Sequence, residues 1–130
     1  MSNPIDISAS ALNVARFKMD IIAKNIANSE SIDYKRKEVQ IGPKKESFND
    51  VLNKANGVEV KKVIEKEPQT ILKFDPDNPL SDEKGFVKIR LSDPIDDVLD
   101  MIEVSRYYEA NLAAIEAFRN MNQNALNIGR

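Results

Sequence analysis

The most constraining feature of this 130-residue chain is a seven-residue repeat close to its start. Ile5, Leu12, Met19 and Ile26 form one series, and Ser8, Ala15, Ile22 and Ser29 form a second series offset by three. Interleaved, the spacings alternate between three and four, which is the seam of a coiled coil. Neither Gly nor Pro interrupts the run, and Pro4 sits near the first turn, where its missing donor costs nothing. Residues 1–31 are therefore read as a long N-terminal helix, whose stretch from Ile5 to Ser31 spans roughly 40 Å at about 1.5 Å per residue.

A second helix is expected at the other end, over residues 93–130. Asp93 suits the N-cap and Pro94 the first helical position. Asp96, Asp97 and Asp100 follow where the helix dipole favours negative charge. Ile95, Val98 and Ile102 begin one apolar stripe. Met101, Val104, Tyr108, Ile115 and Phe118 continue on an adjoining face, with Leu112 between the two. No proline follows Pro94, and Gly129 is the expected stop.

The middle reads differently. Residues 32–57 are expected to be an irregular connector, with Gly42-Pro43 as a turn and Phe48, Val51 and Leu52 able to form one helical turn. Residues 58–92 are expected to be a small β domain. Val58 and Val60 alternate with charge before Val63-Ile64 breaks the alternation, and Thr70–Phe74 and Val87–Leu91 supply two further strands. Three such strands make a minimal sheet. Asp75-Pro76-Asp77-Asn78-Pro79 is a rigid connector between them. The fold class is α+β: an antiparallel, coiled-coil-like pair of terminal helices with a small β-rich insert.

Composition narrows the function. The chain has no Cys and no His, which excludes disulfides, thiolate nucleophiles and Ser-His or Cys-His catalysis. Net charge is −2, divided as −1 over residues 1–34, +3 over residues 35–75 and −4 over residues 76–130. The basic stretch carries only Phe48 and Phe74 as aromatics besides its lysines and arginine, too few for a nucleic-acid face. No membrane span and no cleavable signal peptide are visible. The acidic connector resembles the start of a calcium loop, but Pro79, Leu80 and Phe86 stand where such a loop needs a ligand, a glycine and a glutamate. No metal, cofactor or catalytic site is expected, so the chain is not read as an enzyme.

What remains is an assembly chain. Two long helices make one contact with each other and leave apolar surface uncovered, while amphipathic helices depend on packing for their stability. The residues assigned to subunit contacts on the first helix are Ile5, Leu12, Ala15, Met19, Ile22, Asn25, Ile26 and Asn28. On the second they are Met101, Val104, Tyr108, Asn111, Leu112, Ile115 and Phe118.

Two terminal signatures and a central one give these residues a family resemblance. Asn25-Ile26-Ala27-Asn28, followed by Asp33-Tyr34-Lys35-Arg36, resembles the N-terminal signature of bacterial flagellar axial proteins, with Ser31-Ile32-Asp33 in place of Thr-Pro-Gly. Arg106-Tyr107-Tyr108-Glu109-Ala110-Asn111 resembles their C-terminal signature. Gly57-Val58-Glu59-Val60, then Phe74-Asp75-Pro76-Asp77-Asn78-Pro79, then Gly85-Phe86-Val87 and Asp100-Met101-Ile102 are similar to the proximal-rod proteins of the flagellar basal body, with Asn78 at a family His. The resemblance implies a structural subunit stacking helically into the hollow rod, with its terminal helices lining an inner tube. It implies partners among copies of itself, the other rod subunits and the flagellar type III export apparatus, with no nucleic acid and no membrane insertion. It also implies a periplasmic rod location reached without a cleaved signal. The alternatives are another rod subunit, or a cytoplasmic coiled-coil adaptor that binds partner helices.

Overall fold

The structure, a computed structural model, describes residues 4–44, 57–91 and 93–129. Helix α1 spans Pro4–Ala27, strands β1 and β2 span Arg36–Pro43 and Val58–Lys66, β3 and β4 span Thr70–Phe74 and Phe86–Arg90, and helix α2 spans Pro94–Ile128. The expected turn at Phe48, Val51 and Leu52 lies outside the described residues.

The seam closes inside the chain. Ala15, Ile22 and Val104 form the centre of the core, with Met19, Ile26, Met101 and Tyr108 packed against them. The helices run antiparallel: Ala11 near the start of α1 shares a groove with Asn111, whereas Asn25 near its end lies by Asp97 and Asp100. On α2 the inward residues Asp97, Met101, Val104, Tyr108, Asn111 and Ile115 again alternate by four and three, matching the heptad of α1. The Ser105 hydroxyl lies 3.7 Å from the Met19 sulfur across the seam. Six of the seven apolar side chains buried among the described residues lie on the helices, a lean core for two helices of 24 and 35 residues. Burying one such side chain stabilises by about 1.5–3 kcal/mol, so each member matters.

The start of α2 is built as its sequence indicates. Asp93 takes an extended N-cap conformation and its carboxylate accepts from the Ile95 N–H at 2.9 Å, with Pro94 following it. Gly129 stands at the C-cap, its φ of −84° outside the left-handed region.

The β region differs from expectation in two ways. Arg36–Pro43, expected as irregular, is a strand, and the expected single three-stranded sheet is two separate antiparallel hairpins, β1–β2 and β3–β4. The first strand is hard to see because Lys35 to Glu38 are all charged, and Val39 and Ile41 alone carry its alternation. Its ladder and its docking on α1 decide the conformation, not its propensity. Pro43 ends it, where a missing N–H is tolerated.

A bulge resolves the broken alternation in β2. Val39 faces Val63, Gln40 faces Lys62 and Ile41 faces Val60, leaving Lys61 as the extra residue. That one-residue insertion returns Val58, Val60 and Val63 to a single face with Val39 and Ile41. The face turns toward α1: Ile41 and Val58 share a groove with Ala11 and Val14, and Val39 lies by Ile21 and Ile22. The outer face is charged, with Glu38 paired to Lys66 across the strands.

Gly57, just ahead of β2, lies close against α1. A Cβ there would lie 2.5 Å from the Ser10 hydroxyl oxygen. That oxygen accepts from the Val58 N–H at 3.0 Å while its own proton goes to the Ile7 carbonyl at 2.7 Å. A side chain at 57 forces the strand off the helix.

Candidate assembly surface

The polar joint between α1, β1 and α2 is assembled from the signature residues. Asn25 is 3% exposed at the end of α1. Its amide nitrogen donates to the Lys37 carbonyl at 2.8 Å, and its amide oxygen accepts from the Lys37 N–H and the Tyr34 hydroxyl, each at 3.0 Å. One side chain thus pairs with both main-chain groups of a strand residue, as a neighbouring strand would. Asn28 closes the helix by donating to the Lys24 carbonyl at 2.8 Å. A short turn through Ser31 then leads to Tyr34.

Arg36 anchors β1 to the start of α2. Its Nε and Nη2 donate to one Asp97 oxygen at 3.0 and 2.6 Å, and Asp100 lies 3.8 Å from Nη2. Asp97 is buried at 6% exposure, on the seam one heptad before Val104. The Asp97 hydrogen bond raises the Arg36 guanidinium above its ordinary value, against partial burial, which lowers it. A carboxylate of α2 thus stands at a seam position, and the strand supplies the cation that balances it.

The residues assigned to subunit contacts fall into three groups. Ala15, Ile22, Val104 and Ile115 are buried within the chain, and Met19, Ile26, Met101 and Tyr108 pack on that core, so their first partner is the other helix of the same molecule. Asn25 and Asn28 serve the joint. Ile5, Leu12 and Asn111 are half-buried, while Leu112 and Phe118 are exposed. Sequence reasoning did not find Ser10, Arg36, Asp97 or Arg90 as structural residues. Asp97 carried a signal, since it stands seven residues before Val104.

The apolar surface left open lies elsewhere on α2. Ile95, Val98, Leu99 and Ile102 form an exposed stripe on its first turns, with Leu99 58% exposed. Met121, Leu126 and Ile128 are exposed near its end. An apolar groove of about 480 Å³ runs between the helices and the first hairpin, lined by Ala11, Val14, Ile41, Val58 and Tyr107, with Lys18 and Glu103 as its charged members. Among the described residues no helix is long and apolar enough to cross a membrane, and no group of acidic side chains is arranged to hold a metal. The acidic connector satisfies its own backbone: Asn78 accepts from the Leu80 N–H, and Asp82 from those of Lys84 and Phe86. The chemistry on offer is contact area with a polar rim.

Comparison with known proteins matches the chain to a family. The chain is 33% identical to the flagellar basal-body rod protein FlgC of Bacillus subtilis, over 97% of this chain and 96% of the relative. It is 36% identical to FlgC of Aquifex aeolicus, over 86% and 84% of the two chains. The chain belongs to the FlgC family of flagellar basal-body rod proteins. FlgC of Escherichia coli O6:H1 is 30% identical over 98% of this chain and 97% of its own. The model of the flagellar basal body rod FlgEFG protein C-terminal region matches residues 93–128, which coincide with α2 and its N-cap. The alignments with the FlgC relatives from Bacillus and Escherichia take in nearly the whole chain, so the joint and the helix seam both lie in the part that is shared.

Proposed function

We propose that this chain, a structural subunit of the flagellar basal-body rod, serves in the proximal part of the rod and packs there against copies of itself and other rod subunits. The observation that carries the reading is the division of apolar surface on α2. The heptad face is closed by α1, while Ile95, Val98, Leu99 and Ile102 remain exposed on the same helix. A contiguous apolar stripe on a helix already paired is surface for another molecule. The role is mechanical: the joint's polar side chains hold strands and helices together, and a catalytic function is not part of the reading. The subunit reaches the periplasmic side through the flagellar type III export apparatus without a cleaved signal, and its helices, not the β insert, face the inner tube.

The test is complementation of a strain lacking the subunit. Leu99→Asp with Ile102→Asp puts two charges on the open stripe and leaves the core untouched, so the purified variant should keep its circular dichroism and melting curve. Expected are normal expression, absence from purified basal bodies and loss of swimming. Wild-type swimming and incorporation would remove the stripe from the assembly contacts. A protein retained in the cytosol and bound to helical partners there would favour the adaptor reading instead.

A further inference from the structure

The second hairpin is joined to the rest of the molecule in an unusual way. Among the described residues, the backbones of β3 and β4 lie close to each other and to neither helix nor the first hairpin. Most of its apolar side chains face outward, with Leu72 and Phe74 each 63% exposed, and Val87 is its buried residue. A cleft of about 230 Å³, lined by Ser29, Glu30, Ile89, Arg90 and Pro94, lies at the hairpin's base.

Across that base reaches Arg90, the last residue of β4. Its Nη1 donates to the carbonyls of Ser31 and Tyr34 at 2.8 Å each and approaches that of Asn28 at 3.5 Å. The guanidinium carbon lies 5.9 Å from the centre of the Tyr34 ring. The receptor for this cation is rigid, because the Tyr34 hydroxyl is bonded to Asn25, which holds Lys37 of β1. Asn28 also directly follows α1, where the helix dipole favours a positive charge. The fit is incomplete: the Arg90 Nε is buried with no hydrogen-bond partner among the described residues.

We propose that Arg90 is a latch. Closed, it fixes the direction of the β3–β4 hairpin relative to the helix pair. Open, it lets the hairpin turn as a unit on its connections to β2 and α2, with its own ladder intact. The register from Thr70 facing Arg90 to Phe74 facing Phe86, and the Phe74–Phe86 edge contact at 5.3 Å, are internal to the hairpin and survive the opening. The latch stands whether or not the chain serves in a rod.

The chain has no cysteine, so spin labels can be placed at will. One label at Lys84→Cys on the hairpin and one at Ala113→Cys on α2 report the hairpin's direction by double electron–electron resonance. With Arg90 present, one narrow distance distribution is expected. Arg90→Gln should widen it at least twofold with helix content unchanged. Arg90→Lys, which keeps the charge but loses the fork, should fall between and decides the matter should the Gln variant unfold. Val87→Ala is the control, because Val87 is the buried residue of β4. It should leave the distribution narrow. The proposal is overturned if the distribution is already broad with Arg90 in place, if neither Arg90 variant widens it, or if Val87→Ala widens it instead.

Discussion

At one end of the helix pair, where α1 stops and α2 starts, Asn25, Asp97 and Arg90 tie three segments together through named hydrogen bonds. At the other end, every described residue of α2 from Glu116 onward is exposed. Both ends belong to one pair of helices, yet they are held by different means. The joint end uses directional polar contacts, which fix geometry and fail sharply when one partner is lost. The far end offers nondirectional apolar area, which adds little to the stability of the single chain. A chain that is pinned at one end and open at the other keeps a defined shape before it meets a neighbour.

The sharpest way to break that contrast is Asn25→Ala. The substitution leaves the Lys37 N–H and carbonyl and the Tyr34 hydroxyl without their partner in a site that is 3% exposed. Unmet buried polar groups cost about 1–3 kcal/mol each, and with some access to water regained the loss should be about 3 kcal/mol in all. Chemical denaturation followed by circular dichroism measures it. A loss under 1 kcal/mol would mean that the joint is not what holds β1 to α1.

Asp97→Ala comes next. Breaking a buried ion pair costs about 3–5 kcal/mol, but the Arg36 side chain is 33% exposed and Asp100 is at hand to take part of its charge, so about 2 kcal/mol is expected. A double-mutant cycle with Arg36→Ala isolates the pair. The Arg36 variant should lose more than the Asp97 variant, because it leaves a carboxylate buried on the seam without its cation, whereas Asp97→Ala leaves a guanidinium that is 33% exposed and still beside Asp100. Equal losses, with no coupling between the two, would show that the pair is a surface contact.

How much of this was legible depends on whether a residue's role is written in its own neighbourhood. The seam was legible, because Ala15, Met19, Ile22 and Ile26 each repeat a period that any helix imposes. The start of α2 was legible, because Asp93 and Pro94 act on backbone groups two residues away or less. Strand β1 was not, since its charged first half forms a strand through pairing with β2 and through Asn25, both remote in sequence. The bulge at Lys61 turned an apparent break in alternation into a continuous face, which the sequence of one strand alone cannot show. Ile22 and Ile115 were legible as contact residues but not as contacts within the chain, because a heptad does not say whose helix fills it. A charge at Ile22, which is 4% exposed, therefore breaks the helix pair itself before it can report on a neighbouring subunit.

The smallest effect on the single chain belongs to the open end. Leu126 is 74% exposed, so Leu126→Asp removes little buried area and meets no neighbour that a carboxylate would offend. Substitutions of this kind usually change stability by less than about 0.5 kcal/mol. The helix should therefore melt as before, since the contacts that hold α2 lie between Asp97 and Ile115. Hydrogen exchange sharpens the same point: amides from Met101 to Ile115 should be protected in the dilute subunit, and those from Arg119 to Ile128 should exchange within a factor of about ten of intrinsic rates, as expected for a helix segment with few apolar contacts. In assembled rods the protection should extend to the end of α2, and Leu126→Asp should prevent that extension while leaving the free subunit unchanged. A loss of stability in the free subunit as large as that of Asp97→Ala would show that the far end is already covered by its own chain, and the contrast between the two ends would disappear.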